Sequence, residues 1–320
     1  MNKLAVVFGG SGFVGRNVVR ELAARGWRVR VAVRRPHLAN YLKPLGAVGQ
    51  IQLFQSNIRY RPSVAEALVG ADAVVNLVGI LAKQGAQTFD AVHALGARNI
   101  AAMSAKAGIS DIVHVSAIGA DLDSASNYAR TKALGEAAFR DAVPETTIMR
   151  PSIIFGPRDG FFNRFAGMAQ LLPALPLLGG GHTRMQPVYV DDVADAVCVA
   201  LETPEAAGQT YELGGPQAYS FKELMQKMLA VTGRKRVLVP LPWFAAGMMG
   251  VAGDIANWVP FVKAPITSDQ VRLLKVDNVV GEGVGTLADL GLKPTPMESV
   301  LPSYLARFRK YGQFSPDSGG

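Results

Sequence analysis

The chain has 320 residues, of which 49% are hydrophobic and 18% charged; that composition excludes a disordered protein and leaves room for one large domain or two modest ones. Its net charge of +8 is unevenly spread: residues 1–61 hold eleven Lys or Arg and one acid, Glu21, whereas the other 259 residues hold 22 basic and 24 acidic groups. A single cysteine, Cys198, excludes an intramolecular disulfide and a cysteine-cluster metal site, and His37, His93, His114 and His182 show no metal-ligand spacing.

The basic segment suits a phosphate, an anionic membrane surface or an acidic partner. No RNA-binding motif or zinc-finger spacing points to nucleic acid. Residues 4–8 form an apolar run too short for a signal-peptide core, and they read instead as a buried first strand. A cytoplasmic protein without signal peptide or transmembrane helix is expected.

Strands and helices then alternate. Strands are expected at 4–8, 28–33, 50–54, 73–78, 112–116 and 146–149. Helices are expected at 12–25, 64–68, 87–107 and 128–141. Short, nearly unbroken apolar strands separated by helices predict a doubly wound parallel α/β sheet, the Rossmann arrangement. After Arg150 prolines and glycines punctuate the chain, before a strand at 188–190 and a helix at 191–201. A dinucleotide-binding domain is expected over 1–215, with the segment near 156–186 crossing over, and a smaller mixed domain over 216–320. The unusually apolar stretch 237–262 is interrupted by Asp254 and Asn257 and bracketed by prolines. It reads as a core helix of the smaller domain; the alternative is an exposed surface that docks on a membrane or partner.

Gly9, Gly12 and Gly15 follow the first strand and open the first helix. The first glycine permits a tight turn, the second admits a pyrophosphate close to the backbone, and the third lets the helix pack on the strand. The helix N-terminus offers its N–H groups and partial positive charge to the phosphates. Ser11, Phe13 and Val14 belong to the same loop. A carboxylate for the ribose 2′-hydroxyl of NAD is expected near position 34, but Arg34 and Arg35 stand there. Two guanidinium groups suit a 2′-phosphate, so NADPH is predicted over NADH.

Tyr128 and Lys132 lie one turn apart at the start of a helix, where both can face one site. A nearby ammonium is expected to lower the phenol pKa and equip the tyrosine for proton transfer at a carbonyl or hydroxyl. Asp191, Asp192 and Asp195 read as a helix N-terminus rather than a metal site, Cys198 as a buried hydrophobe, Lys83 as a surface lysine and the methionines as packing.

The glycine loop, the set Ser116, Tyr128 and Lys132, the run from Arg150 and Pro151 to Gly156 and Pro157, and the segment 188–194 together resemble the extended or atypical short-chain dehydrogenase/reductase superfamily. The resemblance implies a serine that polarises a carbonyl, a tyrosine that transfers the proton, and a lysine that supports tyrosine and cofactor. It also implies a cofactor wall that includes Asn57, Ile58, Leu77, Val78, Gly79, Val115, Pro151, Ser152 and Ile154. Departures are Ala117 in place of a second hydroxyl residue, Asn57 in place of an aspartate, a short stretch between Ser116 and Tyr128, and His93 in place of an asparagine. Within the branch, Asn127–Glu136 (residues 127–136), Arg140, Asp141, Pro144, Glu145, Gln186 to Val190, Pro265 to Thr267 and Leu287 to Gly291 are similar to the nucleotide-binding accessory subunits of respiratory complex I and their bacterial homologues. That likeness implies a tightly held NADPH, little or no turnover, a structural or redox-sensing role, and docking to complex I subunits or the inner face of the respiratory membrane near quinone. An active oxidoreductase on a carbonyl or quinone-related substrate, and a nucleotide-sugar epimerase or reductase, are the alternatives.

Overall fold

The computed structural model describes residues 2–83, 85–256 and 266–312. Its elements run β1 (Leu4–Phe8), α1 (Phe13–Ala24), β2 (Arg28–Val33), β3 (Ile51–Gln55), α2 (Arg61–Leu68), β4 (Ala73–Asn76), α3 (Leu95–Lys106), β5 (Asp111–Val115), α4 (Asn127–Ala142) and β6 (Thr147–Pro151). They continue with β7 (Ile154–Phe155), α5 (Phe162–Leu171), β8 (Ala174–Leu178), β9 (Arg184–Met185), β10 (Val188–Tyr189), α6 (Val190–Glu202), β11 (Thr210–Leu213), β12 (Tyr219–Ser220), α7 (Phe221–Thr232), β13 (Val237–Leu241), α8 (Trp243–Ala256), α9 (Ser268–Leu273) and α10 (Met297–Leu305).

Seven strands form one parallel sheet in the order β11-β6-β5-β4-β1-β2-β3. The fold is thus the doubly wound one that the alternation predicts. Its strand order reverses between β1 and β4, the position where sheets of this type bind ligands beyond the C-terminal strand ends. One face packs Val6, Phe8, Val74 and Ile112 against Val64, Ile100 and Phe139 from α2, α3 and α4. Helices α1 and α6 pack on each other, tied at their surface by Arg20 to Asp191 at 2.8 Å and by Arg25 to Glu202 at 2.8 Å. The side chains of β1 are all buried, which is why its sequence shows no polar alternation.

The chain divides into two compact units. The first takes the described residues of Met1–Pro151, Val190–Leu213 and Gly281–Lys293; the second takes those of Ser152–Tyr189, Gly214–Val280 and Pro294–Gly320. The second unit centres on Phe155, Phe162, Leu175, Phe221, Met225, Met228 and Leu301. Short pairs complete it: β10 with β7, β12 with β9, and β13 with β8. Asp159 is buried there and accepts from the Tyr304 hydroxyl at 2.6 Å and from the Phe161 and Asn163 amides at 3.0 Å, fixing the entry to α5.

Three elements depart from expectation. The helix predicted over 87–107 is broken: Asp90–Ala94 forms a π turn before α3 begins. A 3₁₀ segment, Pro36–Leu45, fills the connection after β2, with Pro36 at its start and Pro44 inside it. The apolar stretch 237–262 is not a core helix as far as it is described: β13 and α8 leave Val237, Val239, Phe244, Met248, Val251 and Ile255 exposed, while only Ala246, Gly250 and Gly253 of α8 are buried. Met248 and Met249 are therefore surface rather than packing residues, unlike Met185, Met225, Met228 and Met297. The Trp258 to Phe261 part of that stretch lies outside the described residues. No helix among the described residues is long and apolar enough to cross a membrane.

Candidate functional site

The site begins with the turn after β1. Gly9 has a left-handed φ of 82°, and a Cβ there would lie 3.1 Å from the backbone of Leu77 and Val78. Gly9 therefore joins the loop to the end of β4. A Cβ on Gly15 would sit 2.3 Å from the Gly9 carbonyl, so α1 packs directly on the turn. A Cβ on Gly12 meets only that same carbonyl, at 3.2 Å, and Gly12 itself is exposed. The three glycines thus do different things: two close the protein on itself, and the middle one keeps the approach to the helix N-terminus open. Helix α1 has no side-chain cap and no acid in its first turn, which leaves its N–H groups for an anion.

Gly10 is also closely packed, since a Cβ would lie 2.7 Å from the Val31 side chain; the spacing argument does not find it. Nor does it find Arg16 and Tyr41. The Tyr41 hydroxyl donates to the Ser11 carbonyl at 2.6 Å, and Arg16 lies over the Tyr41 ring, 4.8 Å from its centroid, with Nη2 3.2 Å from the hydroxyl. The loop is thereby fastened to the 3₁₀ segment that follows Arg34 and Arg35. Both arginines project beyond the end of β2, are exposed, and take part in no ion pair among the described residues.

Asn57 and Ile58 follow β3. The Asn57 amide donates to Ser63 Oγ at 3.0 Å and its Oδ1 accepts from the Arg59 amide at 3.2 Å; the Ile58 carbonyl accepts from Asn99 at 2.9 Å. Leu77, Val78 and Gly79 leave β4 against the glycine turn, with the Val78 amide on Asn76 Oδ1 at 3.1 Å.

On α4, Ser126 caps the helix by accepting from the Ala129 amide at 3.3 Å. This starts the helix just before Tyr128 and puts Lys132 one turn on, facing β5. Lys132 Nζ donates to the Val115 carbonyl at 2.7 Å. Burial lowers the Lys132 ammonium to about 8 and raises the Tyr128 phenol to about 12. The expected lowering of the phenol by its lysine is thus overturned: desolvation governs both groups in this structure. Ser116 ends the set; its amide donates to the Met149 carbonyl at 2.6 Å, and its buried Oγ has no hydrogen-bond partner among the described residues. A buried, unpartnered hydroxyl at a strand end fits a ligand oxygen.

His93 fastens this wall. Its ring stands edge-on to Tyr128 at 5.3 Å between centroids and stacks with Phe89 at 5.6 Å. The Ile80 amide donates to Nε2 at 3.0 Å, so the proton sits on Nδ1 and is donated to Thr131 Oγ1 at 3.1 Å. Thr131 in turn donates to the helix carbonyls of Asn127 and Tyr128. One imidazole therefore joins the segment after β4 to α4. Burial, with the nearby Lys132 charge, lowers its pKa to about 3. The π turn carries His93, and α4 approaches it so closely that a Cβ on Gly135 would lie 2.6 Å from the His93 carbonyl.

Arg150 grips Glu136 with two hydrogen bonds of 2.9 and 2.7 Å and lies 3.7 Å from Glu212, which raises its pKa. It locks α4 to β6 and β11. Pro151 ends β6, its carbonyl accepting from the Ile118 amide at 3.1 Å. Ser152 and Ile154 belong to the second unit: Ser152 Oγ lies 2.6 Å from Asn278 Oδ1, and Ile154 pairs with Val188. Asp191 pairs with Arg20 and Asp195 with Arg25 at 3.5 Å. No cluster of His, Cys, Asp and Glu suited to a metal occurs among the described residues.

A glycine turn at the switch point of a parallel sheet, together with a half-buried tyrosine and a buried lysine one helical turn apart, defines a nicotinamide-dinucleotide-binding protein of the short-chain dehydrogenase/reductase type. The chain belongs to the NAD dependent epimerase/dehydratase family, whose pattern it matches over residues 5–214. It is 34% identical over 316 residues to the mouse mitochondrial NADH dehydrogenase [ubiquinone] 1 alpha subcomplex subunit 9, covering 98% of this chain and 82% of that one. The Arabidopsis thaliana protein of the same name is also 34% identical, over 97% of this chain and 79% of its own. The ceramide reductase of Caulobacter vibrioides is 29% identical, over 82% and 80%. Among solved structures, the Thermus thermophilus UDP-glucose 4-epimerase complex with NAD superposes with a TM-score of 0.67 at 20% identity, over 96% of this chain and 99% of that one, a likeness of fold.

Proposed function

We propose that this is an NADPH-binding, atypical short-chain reductase-like protein that serves as a structural or redox-sensing component of respiratory complex I or of quinone metabolism, at the inner face of the membrane. The observation that carries this reading is the likeness, over nearly all of this chain, to mitochondrial complex I subunits. In it, Gly9 to Gly15 cradle the pyrophosphate, Arg34 and Arg35 hold the 2′-phosphate, Asn57 and Ile58 border the adenine, and Leu77 to Gly79, Val115 and Pro151 line the rest of the dinucleotide. When bound, the reduced nicotinamide would supply a hydride.

A second reading is an active NADPH-dependent oxidoreductase on a carbonyl or quinone-related substrate. The unpartnered Ser116 Oγ favours it, as does the likeness to a ceramide reductase. Ser116 would donate a hydrogen bond to the carbonyl oxygen, and Tyr128, protonated at neutral pH, would deliver the proton. Lys132 would support the tyrosine and the cofactor.

Protein purified without added nucleotide tests the two. Stoichiometric NADPH that stays reduced for hours with quinones and carbonyls present supports the structural role. Rapid oxidation that Tyr128→Phe abolishes supports the enzyme. Bound NADH sinks the assignment of Arg34 and Arg35 in either case.

A further inference from the structure

Helix α8 is built inside out. On a helix advancing 100° per residue, Phe244, Met248, Val251 and Ile255 fall within about 60° of arc. They are 74%, 70%, 55% and 66% exposed. The opposite face carries the small residues Ala246, Gly250 and Gly253, and these are the buried ones. Gly250 lets α8 touch the start of α9, because a Cβ there would lie 2.8 Å from Ser268 Cα. Trp243 is seated on Gly179, whose φ of 58° and lack of a side chain admit the indole. The helix is therefore held firmly with its large apolar side chains turned outward. Strand β13 extends the surface with Val237 and Val239, and Leu171 and Leu172 flank it, since the Val237 amide donates to the Pro173 carbonyl at 3.3 Å.

Charge names the partner. The second unit holds 14 Lys and Arg against 7 Asp and Glu, a net of +7, whereas the first holds 19 against 18. Exposed Lys235 stands two residues before β13, and Lys275 Nζ lies 5.8 Å from the Trp243 ring. Asp254, the acid of α8, accepts from the Ser268 amide at 3.4 Å and lies off the apolar stripe. At 14 residues α8 is about 21 Å long, too short to cross a bilayer. An outward apolar stripe beside basic and indole side chains suits a helix lying in the headgroup region.

We infer that the outer face of α8, with β13, is a docking surface for an anionic phospholipid bilayer. This deepens the membrane association proposed above by naming the face and its partner; it is independent of the nucleotide. The test is sedimentation of the full chain with sucrose-loaded vesicles of phosphatidylcholine, with and without roughly a third of phosphatidylglycerol. Binding to the anionic vesicles is expected, weakened by salt and reduced about tenfold or more in the double variant Phe244→Ser, Met248→Ser. Both positions are exposed, so thermal unfolding and NADPH content should be unchanged. If wild type ignores anionic vesicles, or if the double variant binds them equally well, the inference is overturned. A dimer of wild type that the double variant dissolves, without vesicle binding, would make the face a self-interface instead. Because nucleotide content is measured separately, vesicle binding by a nucleotide-free protein defeats only the cofactor reading, and a loaded protein that ignores vesicles defeats only the docking.

Discussion

Lys132 Nζ lies 2.7 Å from the Val115 carbonyl and donates to it, joining α4 to the C-terminal end of β5. The ammonium makes this bond from a buried position, and the carboxylate nearest along its helix, Glu136, is already gripped by Arg150. Burial holds the lysine near a pKa of about 8, so at neutral pH it is still charged, at a cost to the fold. Lys132→Met removes that cost and one hydrogen bond. The nucleotide-free variant is expected to be more stable by about 1–2 kcal/mol and to bind NADPH roughly tenfold or more weakly. Urea denaturation and a fluorescence titration read the two effects. A less stable variant would show that the bond to Val115 outweighs the desolvation.

His93 predicts an acid-sensitive fold. In the unfolded chain its imidazole takes a proton near 6.5; in the folded chain it does so only near 3. Between those values the unfolded state binds more protons, so the stability is fully present above about pH 6.5 and is lost as pH falls toward 3. At pH 5 the loss from His93 alone is about 2 kcal/mol. Buried His114, its pKa also lowered by burial, acts in the same direction. Denaturation midpoints should therefore drop between pH 7 and 5, and His93→Asn should flatten part of that slope. An unchanged slope in the variant would remove His93 as its source.

The sheet and the glycine turn are legible in the sequence because both are local. Buried parallel strands such as Val6 to Phe8 leave unbroken apolar runs, and Gly9, Gly12 and Gly15 serve one turn. The π turn at Asp90–Ala94 is not legible. It is held by bonds from His93 to Ile80 and Thr131, and Thr131 is 38 residues away. The clamp of Arg16 and Tyr41 on Ser11 is equally non-local, spanning the 3₁₀ segment. Helix α8 teaches a different point. Its mean hydropathy says only that it is apolar; the arrangement of large residues at 244, 248, 251 and 255 against small ones at 246, 250 and 253 says which side faces the protein, and that spacing was present in the sequence.

The glycine turn can be separated into folding and binding roles. Gly15→Ala drives a Cβ to within 2.3 Å of the Gly9 carbonyl, a backbone atom that cannot move aside without shifting the turn. It is expected to destabilise the protein by about 2–3 kcal/mol or more. Gly12→Ala meets only a 3.2 Å contact and should fold nearly as wild type. Its methyl group would stand where the pyrophosphate must come close, so NADPH binding should fall by roughly a hundredfold. Thermal unfolding and equilibrium dialysis on both variants check the split. Loss of stability in Gly12→Ala equal to that in Gly15→Ala would mean the middle glycine is needed by the fold itself.

Arg34 and Arg35 are the test of cofactor choice. Both are exposed and without ion pairs among the described residues, so replacing either should leave the fold intact. A 2′-phosphate gives them a dianion to hold, and a hydrogen bond to a charged group contributes about 1.5–3 kcal/mol. Each of Arg34→Ala and Arg35→Ala should weaken NADPH by roughly ten- to a hundredfold. Neither should change NADH, which carries only a hydroxyl at that position. Because the pair is solvent-exposed, the NADPH preference should also shrink as salt rises, whereas NADH affinity should respond less. Competition of 2′-phospho-ADP-ribose against ADP-ribose isolates the same contact from the nicotinamide end. Equal losses for both nucleotides would assign the arginines to the pyrophosphate or to the general field of the basic N-terminal segment. An unaltered preference would place the 2′-phosphate away from the end of β2.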